Sequence, residues 1–86
     1  MLELVFTARG WEDYLYWQKH DRRKLQKLNE LLRDILRGDP ASGIGKPEPL
    51  KHELAGAWSR RIDFQHRLVY LVRNDQVIVL QARMHY

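Results

Sequence analysis

The stretch GKPEPLK places a single carboxylate, Glu48, between Pro47 and Pro49, with Lys46 and Lys51 close on either side. Each proline has a fixed φ and steers the residue before it out of the helical region, so Glu48 is expected to be held extended. A side chain on a restricted backbone loses less entropy when it adopts one geometry, which suits a general base. The alternative is a rigid turn whose glutamate pairs with Lys46 or Lys51. The shape of the motif alone favours that alternative.

The charge around this carboxylate favours a polyanionic partner. The chain has a net charge of +4 and a pI of about 9.7, and its positive charge is concentrated in the second half. Metal-independent cleavage of RNA needs a base for the 2′-hydroxyl, cations on the phosphorane and an acid for the 5′-oxygen. Glu, Arg or Lys, and His supply these roles. Their ordinary pKa values, about 4.3 for Glu and 6.5 for His, let an ionised base and a protonated acid coexist.

Other chemistries have weaker support in the sequence. The four histidines form no HExxH motif or close carboxylate cluster, and no glycine-rich phosphate loop precedes a helix. Ser42 and Ser59 are the only serines and neither lies in a nucleophile elbow, although counting alone leaves a Ser/His/Asp hydrolase open. The chain has no cysteine. We therefore expect no metal and no cofactor.

The pattern of apolar residues predicts the elements that position these groups. LELVF alternates like a strand, Thr7 and Asp21 can cap two helices, and Gly38 followed by Pro40 ends the second helix. Alternation returns in AWSRRIDF, HRLVYLVR and QVIVLQARMHY, with a turn at Asn74 and Asp75. The predicted fold is one α+β domain over residues 1–86, ordered β-α-α-β-β-β. A helical hairpin packs on one face of an antiparallel sheet, and the other face stays free for a partner.

The remaining sequence features have simpler explanations. LELVF is too short, and Glu3 too polar, for a signal sequence or a membrane span, so we expect a cytoplasmic protein with no membrane partner. Trp11, Tyr14 and Trp17 favour packing between helix and sheet over a base-stacking platform. Arg83 is as consistent with a solvated position as with a functional one.

Several motifs together resemble one family. WEDYLYWQ, GKPEPLKHEL, WSRRI, HRLVY and a terminal HY occur in this order and span essentially the whole chain. This set is similar to the YoeB branch of the RelE-type bacterial toxins. The resemblance implies a toxin of a type II toxin–antitoxin system that cleaves messenger RNA on the ribosome with a microbial-ribonuclease-like site. It also implies inhibition by a YefM-like antitoxin, and we expect a homodimer.

By position, the resemblance implies that Glu48 is the general base, that Arg67 stabilises the phosphate and that His85 is the general acid. Three further residues would bind or place the substrate: Lys51, Arg61 and Tyr86. A non-catalytic module of the ParE-like type, acting on a protein target, is the alternative, as is a protein whose basic face only docks an acidic partner. A pure binding protein has no evident reason to carry the Glu, Arg and His set.

The expected site makes a geometric demand on the last hairpin. Side chains alternate between the faces of a sheet, so a two-residue turn at Asn74 and Asp75 would place Arg67 and His85 on opposite faces. A three-residue loop would bring them to one face. We therefore expect the longer loop or a distortion at the end of the strand.

Overall fold

The computed structural model describes residues 2–84, which form two helices and five strands with one short 3₁₀ turn. The elements are β1 (Glu3–Phe6), α1 (Ala8–His20), α2 (Arg22–Arg37), β2 (Glu48–Pro49), the 3₁₀ turn (His52–Leu54), β3 (Ala57–Arg61), β4 (Arg67–Arg73) and β5 (Gln76–Gln81). The predicted α+β fold is confirmed. The structure adds β2, which lies where the sequence predicted only loop.

The strands form one sheet in the order β1-β5-β4-β3-β2. The second half of the chain is antiparallel, as predicted, but β1 runs parallel to β5, so the sheet is mixed. A parallel pair needs a long connection between its strands, and here the two helices and β2 to β4 lie between β1 and β5. Alternation reveals which face a residue occupies but not the direction of the strand, so the sequence pattern could not predict the parallel pair.

The helix boundaries follow the predicted capping residues. Thr7 Oγ1 accepts a hydrogen bond from the Gly10 backbone, and the Asp21 carboxylate accepts two from the first turn of α2. Gly10 has a packing role as well, because a Cβ added there would lie 2.4 Å from the Val79 carbonyl oxygen. The glycine that weakens the first turn of α1 by propensity therefore lets this helix approach β5 closely.

The main core lies between the helices and the sheet. Its buried members include residues of both kinds of element: Trp17, Leu28, Leu31, Ile35, Leu68, Tyr70, Val77 and Val79. A smaller cluster of Leu50, Ala57 and Val69 covers part of the other face. The face predicted to be free is therefore partly covered. The uncovered part is the region beside Glu48, Arg61 and Arg67.

Arg60 is a charged residue in the middle of this structure, and it is fully buried. Its guanidinium donates hydrogen bonds to Asp34 Oδ2 at 2.5 Å and to the Tyr70 hydroxyl at 3.0 Å. It also donates to the backbone carbonyl oxygens of four residues in the loop after α2: Asp39, Pro40, Ser42 and Ile44. A buried charge is costly unless it is paired and hydrogen-bonded, and every nitrogen of this guanidinium has an acceptor.

These contacts fix the loop that leads to β2. Tyr70 donates a further hydrogen bond from its hydroxyl to the Pro40 carbonyl oxygen at 2.6 Å, and burial raises the pKa of this phenol. Gly43 and Gly45 have positive φ, and a Cβ added at either would collide with a side chain of α2. The Arg61 backbone N–H donates to the Gly45 carbonyl oxygen at 2.8 Å. The loop is therefore packed against α2 and β3 until it reaches Glu48.

The Asp34–Arg60 pair gives a pH-dependent prediction. The hydrogen bond from Arg60 holds the pKa of Asp34 below its ordinary value of 3.8, although burial raises it. A carboxylate whose pKa is lowered on folding stabilises the protein above 3.8 and loses this effect as the pH falls through the folded-state value. We expect Asp34→Asn to lower the free energy of unfolding at pH 7 by about 1.5 kcal/mol, the low end for hydrogen bonds to charged groups because the carboxylate is partly exposed.

Urea unfolding of both proteins at several pH values measures this effect. The difference between them should be full at pH 7 and should narrow below 3.8. Since Asp34 is replaced by its uncharged isostere, a difference that stays constant from neutral to acidic pH would show that the carboxylate charge is not what stabilises the loop.

Candidate active site

Glu48 lies at the edge of the sheet, in β2, where it pairs with Ser59 of β3. The backbone is extended, as the flanking prolines predicted, and the side chain is exposed. Three ion pairs are present between residues 2 and 84, and neither Lys46 nor Lys51 takes part in them. The alternative of a turn in which Glu48 is paired with a neighbouring lysine is therefore not what the structure shows. The carboxylate is held by its backbone and is open to a reacting group.

Arg61 and Arg67 are direct cross-strand partners on the same face of the sheet as Glu48. Arg61 pairs with Arg67 across β3 and β4, and Ser59 pairs with both Glu48 and Val69, so residues of one parity share the face turned away from the helices. Like charges directly opposite each other in a sheet destabilise it. Two guanidinium groups in this position therefore form a site that an anion would stabilise.

Arg67 is half-buried, and two of its donor nitrogens lack a hydrogen-bond partner among residues 2–84. Its Nε and Nη1 atoms are enclosed, and within the described chain neither has a hydrogen-bond acceptor. Nη2 is not among the enclosed atoms. Donors left unsatisfied out of water cost free energy, and a guanidinium presents them in the fork that matches phosphate oxygens. This arrangement differs fully from that of Arg60, which is satisfied by protein atoms alone.

The sheet geometry sets the spacing of the two key groups. Glu48 and Arg67 lie two strands apart across the sheet and two residues apart along the strand direction. With ordinary strand spacing and rise, their Cα atoms are about 12 Å apart. The gap between such long side chains suits one phosphodiester. Lys51 lines a surface pocket with Glu48, Pro49 and His52, so a further cation lies next to the carboxylate.

The last hairpin has the second of the two expected features, a distortion near the end of the strand. The turn at Asn74 and Asp75 has only two residues, both with positive φ, and the longer loop is wrong. A β-bulge follows, because Tyr70 pairs with Val79 whereas Val69 pairs with Gln81. The extra residue reverses the parity of the chain after it.

This parity holds only to the end of β5, because the chain after Gln81 is irregular. The predicted acid His85 itself and the predicted substrate-placing residue Tyr86 lie outside the described residues. Their roles stay predictions.

The chain after β5 is held by side chains that the sequence analysis did not mark. The carboxylate of Asp13, in α1, accepts a hydrogen bond from the Ala82 backbone N–H at 2.9 Å. Trp17 donates from Nε1 to the Ala82 carbonyl oxygen at 2.7 Å. The sequence marks Trp17 as a core residue but contains no signal for these long-range bonds.

Arg83, whose position was left open, packs against α1. Its guanidinium lies 3.6 Å from the centre of the Tyr16 ring, the geometry of a cation–π contact. Arg83 therefore does not join the pair of Arg61 and Arg67.

The aromatic residues and possible metal ligands give further limits. Trp11 stacks on Tyr14 with ring centres 6.0 Å apart, and both meet the edge of Phe6. They line a pocket on the helical side that contains none of the predicted site residues. In the part of the chain from 2 to 84, no group of three His, Asp or Glu side chains could hold a metal ion. Over the same residues, no helix has the length and apolar character needed to cross a membrane.

Comparison with known proteins agrees with the fold and the motifs. A family model described as "YoeB-like toxin of bacterial type II toxin-antitoxin system" matches residues 6–86. "Toxin YoeB" of Streptomyces coelicolor is 53% identical over 85 residues, which cover 99% of this chain and 100% of that protein. The chain belongs to the YoeB family of type II toxins.

Solved structures of YoeB proteins share the fold. A structure titled "YoeB/ParE toxin from Agrobacterium tumefaciens" superposes with a TM-score of 0.94 at 47% identity and covers 99% of this chain and 100% of that one. The Staphylococcus aureus protein, solved in a "YoeB-YefM complex" and as a "YoeB dimer", superposes with a TM-score of 0.91 in both cases. The identities are 42% and 44%, and coverage is at least 98% of either chain. The resemblance inferred from the motifs is confirmed at the level of family and fold.

The unpaired donors of Arg67 predict that this residue lowers the stability of this YoeB-family protein. Replacing Arg67 by Met removes the enclosed donors and the like-charge contact with Arg61 while keeping much of the apolar stem. We expect Arg67→Met to raise the free energy of unfolding by about 1 kcal/mol. Arg73→Met, on the same strand and face but exposed, is the matched control and should change it little.

Chemical denaturation gives the free energy of unfolding of the three proteins, and thermal unfolding gives their melting temperatures. Inorganic phosphate should raise the melting temperature of the original protein and of Arg73→Met more than that of Arg67→Met. If Arg67→Met is less stable than the original protein, Arg67 stabilises the fold and is not an unpaired anion-binding group.

Proposed function

We infer that this chain is a metal-independent endoribonuclease that cleaves messenger RNA on the ribosome and thereby inhibits translation. The observation that carries this proposal is the pairing of an unsatisfied Arg67 with Arg61 on the face that also holds a free Glu48. Membership of the YoeB family supports the reaction class. The basic charge of the chain supports a nucleic-acid substrate.

Each group has a defined task in the proposed reaction. The Glu48 carboxylate accepts the proton of the 2′-hydroxyl, whose oxygen attacks the adjacent phosphorus. Arg67, with Arg61 and Lys51, stabilises the charge that grows on the phosphorane oxygens. His85 donates a proton to the departing 5′-oxygen, and Tyr86 aids substrate placement. The bond between phosphorus and the 5′-oxygen breaks, which leaves a 2′,3′-cyclic phosphate on one product and a 5′-hydroxyl on the other.

The proposed partners follow from the family and the charge. The S. aureus complex contains a YefM protein, and we propose an acidic, partly disordered YefM-like antitoxin for this chain. Such a segment would cover the basic face and contact the region of Glu48 and Arg67. The S. aureus dimer supports a homodimer, and ribosome-bound substrate places the protein in the cytoplasm.

The chemistry of the cleaved ends tests the reaction. Messages cleaved on programmed ribosomes should carry a 2′,3′-cyclic phosphate or 3′-phosphate and a 5′-hydroxyl. Glu48→Gln should lower the single-turnover rate constant by about 100-fold or more, the lower range for loss of a general base. Arg73→Ala, which changes an exposed arginine away from Glu48, should leave it unchanged. Magnesium must be kept constant, because the ribosome itself requires it.

Two outcomes would contradict this proposal. Products with 5′-phosphate ends would show a different nucleophile. A protein that is toxic in cells but cleaves no ribosome-bound message, with Glu48→Gln equally toxic, would favour the ParE-like alternative of a protein target.

A sulfur substitution separates the acid from the base. A thiolate leaves with little need for a proton, since thiol pKa values lie near 8.5. A message with a 5′-bridging sulfur at the cleavage site should therefore restore much of the activity of His85→Ala. Glu48→Ala should stay impaired on the same substrate, because its attacking hydroxyl is still not activated. Single-turnover rates are required, since product release can hide the chemical step. Equal rescue of both variants, or of neither, would show that the roles are wrongly assigned.

A further inference from the structure

The segment after β5 is irregular in backbone but fixed by hydrogen bonds at both of its ends. At Ala82, which is fully buried, Asp13 and Trp17 hold the N–H and the carbonyl oxygen. At Met84, the backbone N–H donates to His66 Nδ1 at 2.8 Å, and the carbonyl oxygen accepts from the Arg67 backbone N–H at 3.1 Å. Met84 has a φ of 67°. This conformation is unfavourable for any residue other than glycine, so it needs support from its surroundings.

His66 is itself held firmly. Its backbone N–H donates to Asp63 Oδ1 at 2.6 Å, and its carbonyl oxygen accepts from the Ile62 N–H at 2.9 Å. The planes of the His66 and Trp17 rings are nearly perpendicular, at 80°, and the ring centres are 4.8 Å apart. Lys24 of α2 joins Asp63 at 2.9 Å, so the turn that carries His66 is tied to the helical layer. A fixed ring is a suitable anchor for a strained backbone.

The hydrogen bond defines the role of one nitrogen of this imidazole. A backbone N–H donates only to a nitrogen with a free lone pair, so Nδ1 is the acceptor in this contact. His66 is therefore suited to hold the backbone of Met84.

We propose that His66 is a positioning residue for the catalytic acid. Met84 immediately precedes His85 in the sequence. The bonds from His66 and from the Arg67 backbone hold the N–H and the carbonyl oxygen of Met84, the last described residue before the acid. This inference rests on the proposed function, because it assigns to His85 the task of protonating the leaving group.

Substitutions that keep or remove the acceptor test the inference. His66→Leu removes the acceptor and keeps a similar volume. His66→Asn keeps an oxygen near the place of Nδ1, whereas His66→Gln moves its oxygen toward the place of Nε2. We expect the single-turnover rate constant to fall by about 10- to 100-fold in the Leu variant, because misplacement by about 1 Å can cost this much. The Asn variant should keep most of the rate, and the Gln variant should resemble Leu.

Binding and stability are measured beside the rate. Affinity for programmed ribosomes should be unchanged in all three variants, since the proposed defect lies in the chemical step. Gln65→Leu, which changes the exposed neighbouring residue, is the matched control and should behave like the original protein. If His66→Leu folds poorly, the comparison of Asn with Gln at equal melting temperature decides the matter. Equal rates for Asn and Gln would contradict the proposal.

A double-mutant cycle shows whether His66 acts through His85. In a His85→Ala background, His66→Leu should have no further effect on the rate, because the group that it positions is gone. On the message with a 5′-bridging sulfur, the defect of His66→Leu should shrink as that of His85→Ala does. Independent, multiplicative losses would overturn the proposal.

The outcome for the original protein separates the two levels of inference. If the original protein does not cleave ribosome-bound message, the proposed function fails. If it cleaves through His85 but His66→Leu cleaves equally well, the positioning role alone fails.

Discussion

The buried guanidinium of Arg60 fixes the loop that leads from α2 to Glu48. A charge at this depth is tolerable only with a full set of acceptors, and the loop after α2 supplies most of them from its backbone. The loop is polar and has few apolar residues of its own to bury. Arg60 thus converts an otherwise solvated connection into a fixed support for β2, and through it for Glu48. Because Arg60 and Arg61 are adjacent in β3, they point to opposite faces, Arg60 into the core and Arg61 to the face of Glu48.

Three arginines of similar sequence context consequently have different physical roles. Arg60 is satisfied by the protein, whereas Arg67 has enclosed donors with no acceptor among the described residues. Arg83 stacks on an aromatic ring, and its Nε is also enclosed without an acceptor in residues 2–84. Enclosed donors without an acceptor cost free energy in a folded domain. At Arg67 the proposed phosphodiester would supply the missing acceptors, next to the carboxylate of Glu48.

The same sheet organises the site through small departures from regularity. The short strand β2 brings Glu48 into the ladder instead of leaving it on a mobile loop. The bulge near Tyr70 changes the register of β5 after Val79. Asp13, Trp17 and His66 then hold the chain that leaves the sheet. The position of this segment thus depends on the helical layer as much as on the strands.

Periodicity and backbone chemistry near each residue were enough to predict most helices and strands, the capping residues Thr7, Asp21 and Gly38, and the α+β class. The sequence by itself also determined the family, since several motifs occur together at consistent spacing, and it singled out Glu48 because proline restricts its neighbours. Tertiary structure alone decided that β1 is parallel to β5, that Arg60 is enclosed while Arg67 is unsatisfied, and that His66 holds Met84. These features depend on contacts between residues far apart in the chain, and alternation carries no information about strand direction or about which of several arginines finds its acceptors.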